Sequence, residues 1–350
     1  MSHEETPFRI VMVEPVPARF RPFFFGQLPG PEFTFACPDS DDEHEVHTLV
    51  VDADALVTRR RIIDPTLMAA AGARLRAIQI QGRVPDRVDL EAARVAGIPV
   101  AVMPSKGCIA VAEHAMALML AVARRIIPGH LGVVGGRYRE FGLTPARTTE
   151  HEFAFNWLKF PDVTELNGKT LGIVGFGEIG REVGIRARAF DMTVVYFDQR
   201  PLPERFERQL GVRAAASLDD LLAESDYVTL HAPHTPENER MIDARRLSLM
   251  KPAACLINAA RGGLIDEAAL VNALGAGRLR AAGLDVFVDE PLPADHPLLA
   301  LPNVVLAPHV AGGSGGGQRL HAKETLENVA RALRGERPQH CVEETVPAAW

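Results

Sequence analysis

The sequence predicts an α/β protein made of two doubly wound parallel-sheet domains, and three observations carry the prediction. The chain has 350 residues, more than one ordinary domain of roughly 100–200 residues holds and fewer than three need. Short apolar runs alternate with helical stretches over residues 1–103, and the alternation restarts at Lys169, the pattern of parallel strands joined by helical crossovers. At the head of the second series, a glycine-rich turn follows an apolar strand and opens a helix.

In the first series Phe8–Val13, Leu49–Val51, Ala55–Val57, Ala77–Ile80 and Pro99–Val102 read as strands, and Leu67–Ala73 and Leu90–Ala96 as helices, with Gly97 ending the latter. The apolar run Ile109–Ala123 carries Glu113 and His114 and is shorter than the ~20 residues of a membrane span, so it reads as a buried helix. Pro128–Pro161, rich in glycine and aromatics, reads as a long loop that packs on another domain or subunit. In the second series the strands are Leu171–Val174, Thr193–Phe197, Tyr227–Leu230, Cys255–Asn258, Ala282–Val286 and Val304–Ala307. Ser217-Leu-Asp-Asp220 caps a short helix before the third of them. The apolar-periodic helix Leu320–Leu333 lies beyond the last strand and takes the chain back to the first domain, so the expected domains are 1–104 with 310–350, and 105–309.

Hydrophobic residues make up 47% and charged residues 24%, ordinary globular usage that excludes a disordered or collagen-like chain. With 38 basic against 45 acidic residues and a net charge of −7, the chain has no electrostatic footprint for nucleic acid or an anionic membrane. Cys37, Cys108, Cys255 and Cys341 form no Cys-x-x-Cys pair, so neither a metal site nor a redox motif is indicated and a reducing compartment fits. The opening Met-Ser-His-Glu-Glu is acidic, with no apolar stretch of a secretory signal. The expectation is a cytoplasmic protein.

The glycine-rich turn is Gly175-Phe-Gly177-Glu178-Ile179-Gly180, between the strand Leu171–Val174 and a helix, and Asp198 ends the next strand. Gly175 permits the tight turn, Gly177 lets backbone approach a pyrophosphate, Gly180 allows close helix–strand packing, and helix N–H groups face the phosphates. Asp198 accepts hydrogen bonds from both ribose hydroxyls of an adenosine and repels a 2′-phosphate, which favours NAD over NADP. Arg200, two residues on, is the counterweight, because an arginine there accommodates that phosphate.

Three polar residues fall at or just after strand ends, where open α/β sheets bind ligands. Arg261 precedes Gly262-Gly263, and its fork suits a substrate carboxylate. His309 follows the last strand, and an imidazole there suits proton transfer. Glu290 is the carboxylate placed to orient it. Singly, each is ordinary; together, downstream of a dinucleotide loop, they read as one site.

These residues resemble the D-isomer-specific 2-hydroxyacid dehydrogenase family. The resemblance rests on Asp86-Arg-Val-Asp-Leu-Glu-Ala-Ala-Arg94, Ala96-Gly-Ile-Pro-Val100, Val111-Ala-Glu-His114, Leu171–Gly180, Leu230-His-Ala-Pro233, Asn258-Ala-Ala-Arg-Gly262, Gly283-Leu-Asp-Val-Phe287, Glu290-Pro291 and Pro308-His309. It implies a Rossmann NAD-binding domain and a flavodoxin-like substrate domain formed by the first and last segments. It also implies Arg261 as substrate-binding, Glu290 as partner of an acid/base His309, and His231, Pro233, Ala259, Ala260 and Asp285 as cofactor contacts. Residues about 105–160 would build a homodimer. The implied reaction is hydride transfer between NAD(H) and a small 2-keto or 2-hydroxy acid of the glyoxylate or hydroxypyruvate kind. A dinucleotide-sensing corepressor-like protein and a phosphite-type dehydrogenase are the alternatives.

Where family members carry a Gly-x-Gly-x-Asp loop for the substrate carboxylate, this chain reads Gly82-Arg-Val-Pro-Asp86. Pro85 removes a backbone donor and stiffens the turn. Gly82 and Arg83 are therefore the substrate-binding candidates, with Arg83 favouring an acid that carries a second anionic or polar group. The glycine run 312–317 reads as a loose connector or a hinge.

Overall fold

The computed structural model describes residues 7–312 and 316–345. The chain forms two compact units, Met1–Ile109 with Gly313–Trp350, and Ala110–Gly312.

The first unit holds a five-stranded sheet of β1 (Phe8–Met12), β2 (Phe33–Ala36), β3 (Ala55–Thr58), β4 (Ala77–Ile80) and β5 (Val100–Val102), in the order β2-β1-β3-β4-β5. Every pairing is parallel, and this order is the flavodoxin-like one. β3 and β4 are buried along their whole length, which is why they are mainly apolar, with Thr58 and Gln79 buried among the aliphatic residues, rather than alternating with exposed positions. One face of the sheet packs Val46, Leu67, Met68, Leu90 and Ala93. The other packs Leu326, Val329 and Leu333 of the helix Gly316–Leu333, with Phe24. Asp42, Asp64 and Asp89 cap three helices by accepting backbone N–H groups three residues on. The expected strand Leu49–Val51 is not one: Leu49 ends the helix Glu43–Leu49 and Val50 is its buried cap. The second strand is instead Phe33–Ala36, at the sheet edge. Of the glycine run, Gly313 to Gly315 lie outside the described residues.

The second unit holds a seven-stranded parallel sheet of β6 (Thr170–Val174), β7 (Thr193–Phe197), β8 (Val212–Ala214), β9 (Tyr227–Leu230), β10 (Cys255–Asn258), β11 (Ala281–Leu284) and β12 (Val304–Leu306), ordered β12-β11-β10-β9-β6-β7-β8. Strand order reverses between β6 and β9, the crevice where such sheets take their ligands. Leu221, Leu222, Leu247, Leu270 and Leu274 cover one face. Gly283 admits Leu118 and Val122 of the helix Lys106–Ala123, with a Cβ there 3.1 Å from Leu118 Cβ. That helix is, among the described residues, the one long and apolar enough to cross a membrane, and half of it is buried inside the protein. Pro128–Pro161 is not a plain loop. It contains part of the helix Ile126–Val134 and the 3₁₀ turn Arg137–Phe141, with Pro128 in the first helical turn, where its missing N–H costs nothing.

Candidate active site

The carboxyl ends of β6, β7, β9, β10, β11 and β12 carry Gly175–Gly180, Asp198, His231, Ala259 to Arg261, Asp285 and His309 in that order. The second unit therefore gathers at one sheet edge residues spread over more than a third of the sequence.

At β12, His309 adopts φ +56°, a left-handed conformation a non-glycine residue holds only when its neighbours enforce it. Asp285 is the enforcer. Wholly buried, its carboxylate accepts the Val310 N–H at 2.9 Å and the Ala311 N–H at 2.8 Å, while its carbonyl accepts the His309 N–H at 2.9 Å. His114 Nε2 lies 3.3 Å from the same carboxylate. Asp285, anticipated as a cofactor contact, thus offers no exposed surface and serves as the anchor of the turn.

So held, His309 Nδ1 meets Glu290 Oε2 at 2.6 Å. Glu290 is fixed in turn by the Phe287 N–H, 3.0 Å from Oε1. Burial opposes the charge on Glu290, but the hydrogen bonds from His309 and Phe287 and the charges of His309 and Arg261 outweigh it, holding the carboxyl below its ordinary range. With Nδ1 engaged, Nε2 is the ring nitrogen left to face a reactant. The pair borders a cavity of about 520 Å³ walled largely by Phe287, Leu306 and Pro308.

Arg261 is exposed in extended backbone at the end of β10. Buried Asn258 braces its turn, donating to the Arg261 carbonyl at 2.9 Å and accepting the Ala260 N–H at 3.0 Å. Gly262 lies against the Phe287 carbonyl and the Val288 N–H, where a Cβ would overlap backbone. That contact joins the Arg261 turn to the segment carrying Glu290. Neither Asn258 nor the reason for Gly262 was read from the sequence, although the strand-end position of the asparagine was a usable signal.

The glycine loop separates two kinds of glycine. Gly175 has φ +89°, and a Cβ would come within 2.6 Å of Ala232 N and 2.7 Å of the His231 carbonyl carbon. At Gly180 a Cβ would strike the Gly175 carbonyl oxygen. The fold itself demands both. Gly177 is different: φ is −73°, and a Cβ would meet nothing within 4 Å. The space before it, at the N-terminus of the helix Glu178–Ala189, is open to a phosphate. Beside it, His231 Nε2 lies 2.9 Å from Thr229 Oγ1 while its buried Nδ1 has no partner among the described residues. Burial pushes that imidazole down to about 3, so it is neutral at physiological pH. Asp198 accepts the Phe176 N–H at 2.7 Å on one oxygen and the Arg200 N–H at 2.9 Å on the other, which aims the carboxylate beside the loop. An open cradle and an orphaned ring nitrogen fit a dinucleotide. Ile179 is half-buried in the first helical turn, Pro233 is exposed after β9, and Ala259 is buried. Gly82, buried, and Arg83, exposed, belong to the first unit, just after β4.

Fold and site together define a dinucleotide-binding α/β protein with a histidine–carboxylate pair at the cofactor edge. Residues 116–311 match the family model for the D-isomer specific 2-hydroxyacid dehydrogenase NAD binding domain. The chain is 38% identical over 298 residues to the D-3-phosphoglycerate dehydrogenase of Mycobacterium tuberculosis, spanning 85% of this chain and 52% of that protein, so it covers about half the length of this curated relative. It is 38% identical over 312 residues to the glyoxylate reductase of Thermococcus onnurineus, spanning 87% of this chain and 89% of that one. Among solved structures, it is similar to an NADPH-dependent glyoxylate/hydroxypyruvate reductase from Sinorhizobium meliloti in complex with NADP and malonate, with TM-score 0.53, 27% identity and 98% of each chain covered. The chain belongs to the D-isomer specific 2-hydroxyacid dehydrogenase family.

Proposed function

We propose that this protein is an NAD(H)-dependent 2-keto acid reductase, in reverse a D-2-hydroxyacid dehydrogenase, acting on a small acid of the glyoxylate or hydroxypyruvate class. The observation that carries the reading is the 2.6 Å contact of His309 Nδ1 with Glu290 on a turn pinned by Asp285. A dinucleotide held at its pyrophosphate by Gly175–Gly180 would supply the hydride exchanged with the substrate's second carbon. The remaining work belongs to side chains. His309 Nε2 gives a proton to the keto oxygen during reduction, and Glu290, kept ionised, stabilises the imidazolium and fixes its tautomer. Arg261 receives the substrate carboxylate with its two parallel N–H donors. Gly82 and Arg83 are the first unit's substrate contacts. The rigid Asp198 carboxylate accepts ribose hydroxyls and disfavours a 2′-phosphate, hence NAD rather than NADP. The exposed Ile126, Leu131, Val133 and Val134 of the helix Ile126–Val134 form an apolar face that suits a homodimer contact within residues 105–160.

The test is NADH oxidation with glyoxylate and hydroxypyruvate. Removing the proton donor costs about 10²–10⁴-fold, so His309→Gln should lower kcat by that order while NADH still binds. Unchanged kcat would remove His309 from the chemistry, and the absence of any turnover in the wild type would return the chain to a dinucleotide-binding role.

A further inference from the structure

Between Phe287 and Leu298 the chain reads Val288-Asp-Glu-Pro-Leu-Pro-Ala-Asp-His-Pro297. Three prolines lack a backbone donor and three acids resist burial, so this strap has few means of holding itself. Phe287 and Leu298 at its ends are buried, but from Val288 to Asp295 every residue except the half-buried Leu292 is exposed. Open space lies on two sides. The cavity of about 520 Å³ beside His309 takes Pro291 and Leu292 into its wall, and a second cavity, of about 590 Å³, is bordered by Val288, Asp289, His296 and Pro297. Packing therefore does little to fix the segment that carries Glu290, and its polar contacts must do so.

Most of those contacts are local: the Phe287 N–H donates to Glu290 itself and the His296 N–H to the Pro293 carbonyl, each at 3.0 Å. Apart from the Glu290–His309 pair, the polar contacts that leave the strap reach, among the described residues, one side chain. This is Glu267, the first residue of the helix Glu267–Gly275 on the crossover from β10 to β11. Its Oε1 accepts the Val288 N–H at 3.3 Å, and its Oε2 lies 3.1 Å from His296 Nε2. One carboxylate thus grips the strap near both ends. The tautomer of His296 follows from its other nitrogen: Nδ1 accepts the Leu298 N–H at 3.2 Å and caps the 3₁₀ turn Pro297–Ala300, so the ring hydrogen sits on Nε2 and faces Glu267. The two side chains are 15% and 19% exposed, which spares the pair most of the screening that weakens a surface contact.

We propose that Glu267 and His296 are positioning residues for the reaction, a second histidine–carboxylate pair that fixes the strap at Val288 and at Leu298 and so holds Glu290 against His309. They border the second cavity rather than the one beside His309, and they act through Glu290. The proposal rests on the reductase reading above only for its effect on rate; the placement of Glu290 by Glu267 stands without it.

Two variants divide the tether. Glu267→Ala cuts both ties, whereas His296→Asn keeps a cap for the Leu298 N–H and is too short to reach Glu267. With glyoxylate or hydroxypyruvate, kcat should fall about tenfold to a hundredfold in Glu267→Ala, the worth of a misplacement of about 1 Å, and by less in His296→Asn, with NADH affinity unchanged in both. A damaged fold would also lower kcat, so the deciding readout is the ionisation of Glu290. In protein with ¹³C-labelled glutamate, its carboxyl resonance is the one absent from Glu290→Gln. In the wild type burial raises its midpoint, but the hydrogen bonds from His309 and Phe287 outweigh that and hold it below the ordinary carboxylate range. Both variants should bring the midpoint back up toward the ordinary value, and the acid limb of kcat/KM should rise with it. Removal of the Glu267 charge by itself would lower the midpoint, so a rise reports the loosened contacts alone. A midpoint unmoved or lowered in folded Glu267→Ala overturns the proposal; if that variant does not fold, the same result in His296→Asn does so. If no 2-keto acid is reduced yet the midpoint rises, the reductase reading fails and the tether stands.

Discussion

Gly262 is where two parts of the site touch, and replacing it with alanine tests whether their spacing sets the rate. A Cβ at this position would fall inside the van der Waals envelope of three backbone atoms, the Phe287 carbonyl carbon and oxygen and the Val288 nitrogen. Backbone cannot rotate aside, so Gly262→Ala must part the Arg261 turn from the segment 287–290 by about 1 Å to restore ordinary contacts. Overpacking of this kind costs about 1–3 kcal/mol, a Tm loss of a few degrees in a chain of this size. The larger effect is positional. Glu290 hangs from the Phe287 N–H at 3.0 Å and holds His309 at 2.6 Å, so a shift of Phe287 moves His309 relative to Arg261. Misplacement by about 1 Å is worth about 10²-fold in rate. Gly262→Ala should therefore stay folded, bind NADH within a factor of about three, and lose about a hundredfold in kcat. Absorbance-monitored NADH oxidation, a thermal melt and a fluorescence titration of NADH on one preparation decide it. A folded variant with wild-type kcat would refute the reasoning. So would a loss of NADH binding that accounts for the whole loss of rate, because the glycine would then be serving the cofactor.

Gly177→Ala should do the reverse: with φ −73° and open space around the new methyl group, stability holds or rises by a few tenths of a kcal/mol, while NADH affinity falls at least about tenfold in the same titration. Asp285→Asn leaves one acceptor for two N–H groups, the part-buried one of Val310 and the buried one of Ala311; urea midpoints should register a loss of about 1–3 kcal/mol, and kcat should fall with it as the His309 turn relaxes. His321 titrates at about 4 when folded against 6.5 as a free side chain, so the unfolded chain takes the proton first and stability is lost as pH falls. Between about pH 7 and pH 5 the loss amounts to about 2 kcal/mol, and His321→Leu should flatten the denaturation curve by that amount over the same interval; parallel pH curves for the two proteins would contradict the buried neutral imidazole.

The elements legible in the sequence are those whose physics is local. β3, β4, β9 and β10 are buried at every position, so each is a short, mainly apolar run, and the glycine loop keeps its spacing because a tight turn and a helix start are properties of neighbouring residues. What escaped depends on partners distant in sequence. β2 and β8 are edge strands of four and three residues with exposed Thr34 and Arg213, and only the pairing with β1 or β7 makes them strands. The helix Glu43–Leu49 buries one residue, Val46, too little to write a period, so the three apolar residues Leu49–Val51 at its end passed for a strand. The helix Ile126–Val134 hid behind its glycines and Pro128. The site divides by the same rule. Glu290 and the Phe287 N–H that fixes it are three residues apart, whereas Asp285 and the Ala311 N–H are 26 apart, and Gln81 and Thr325 are 244 apart. Sequence shows which groups can do chemistry; the groups that hold them in place are chosen by which strand ends lie side by side. For this reason the motif spacing marks Gly177, whose Cβ would meet open space, whereas the need for Gly262 shows only in the Phe287 and Val288 backbone that faces it.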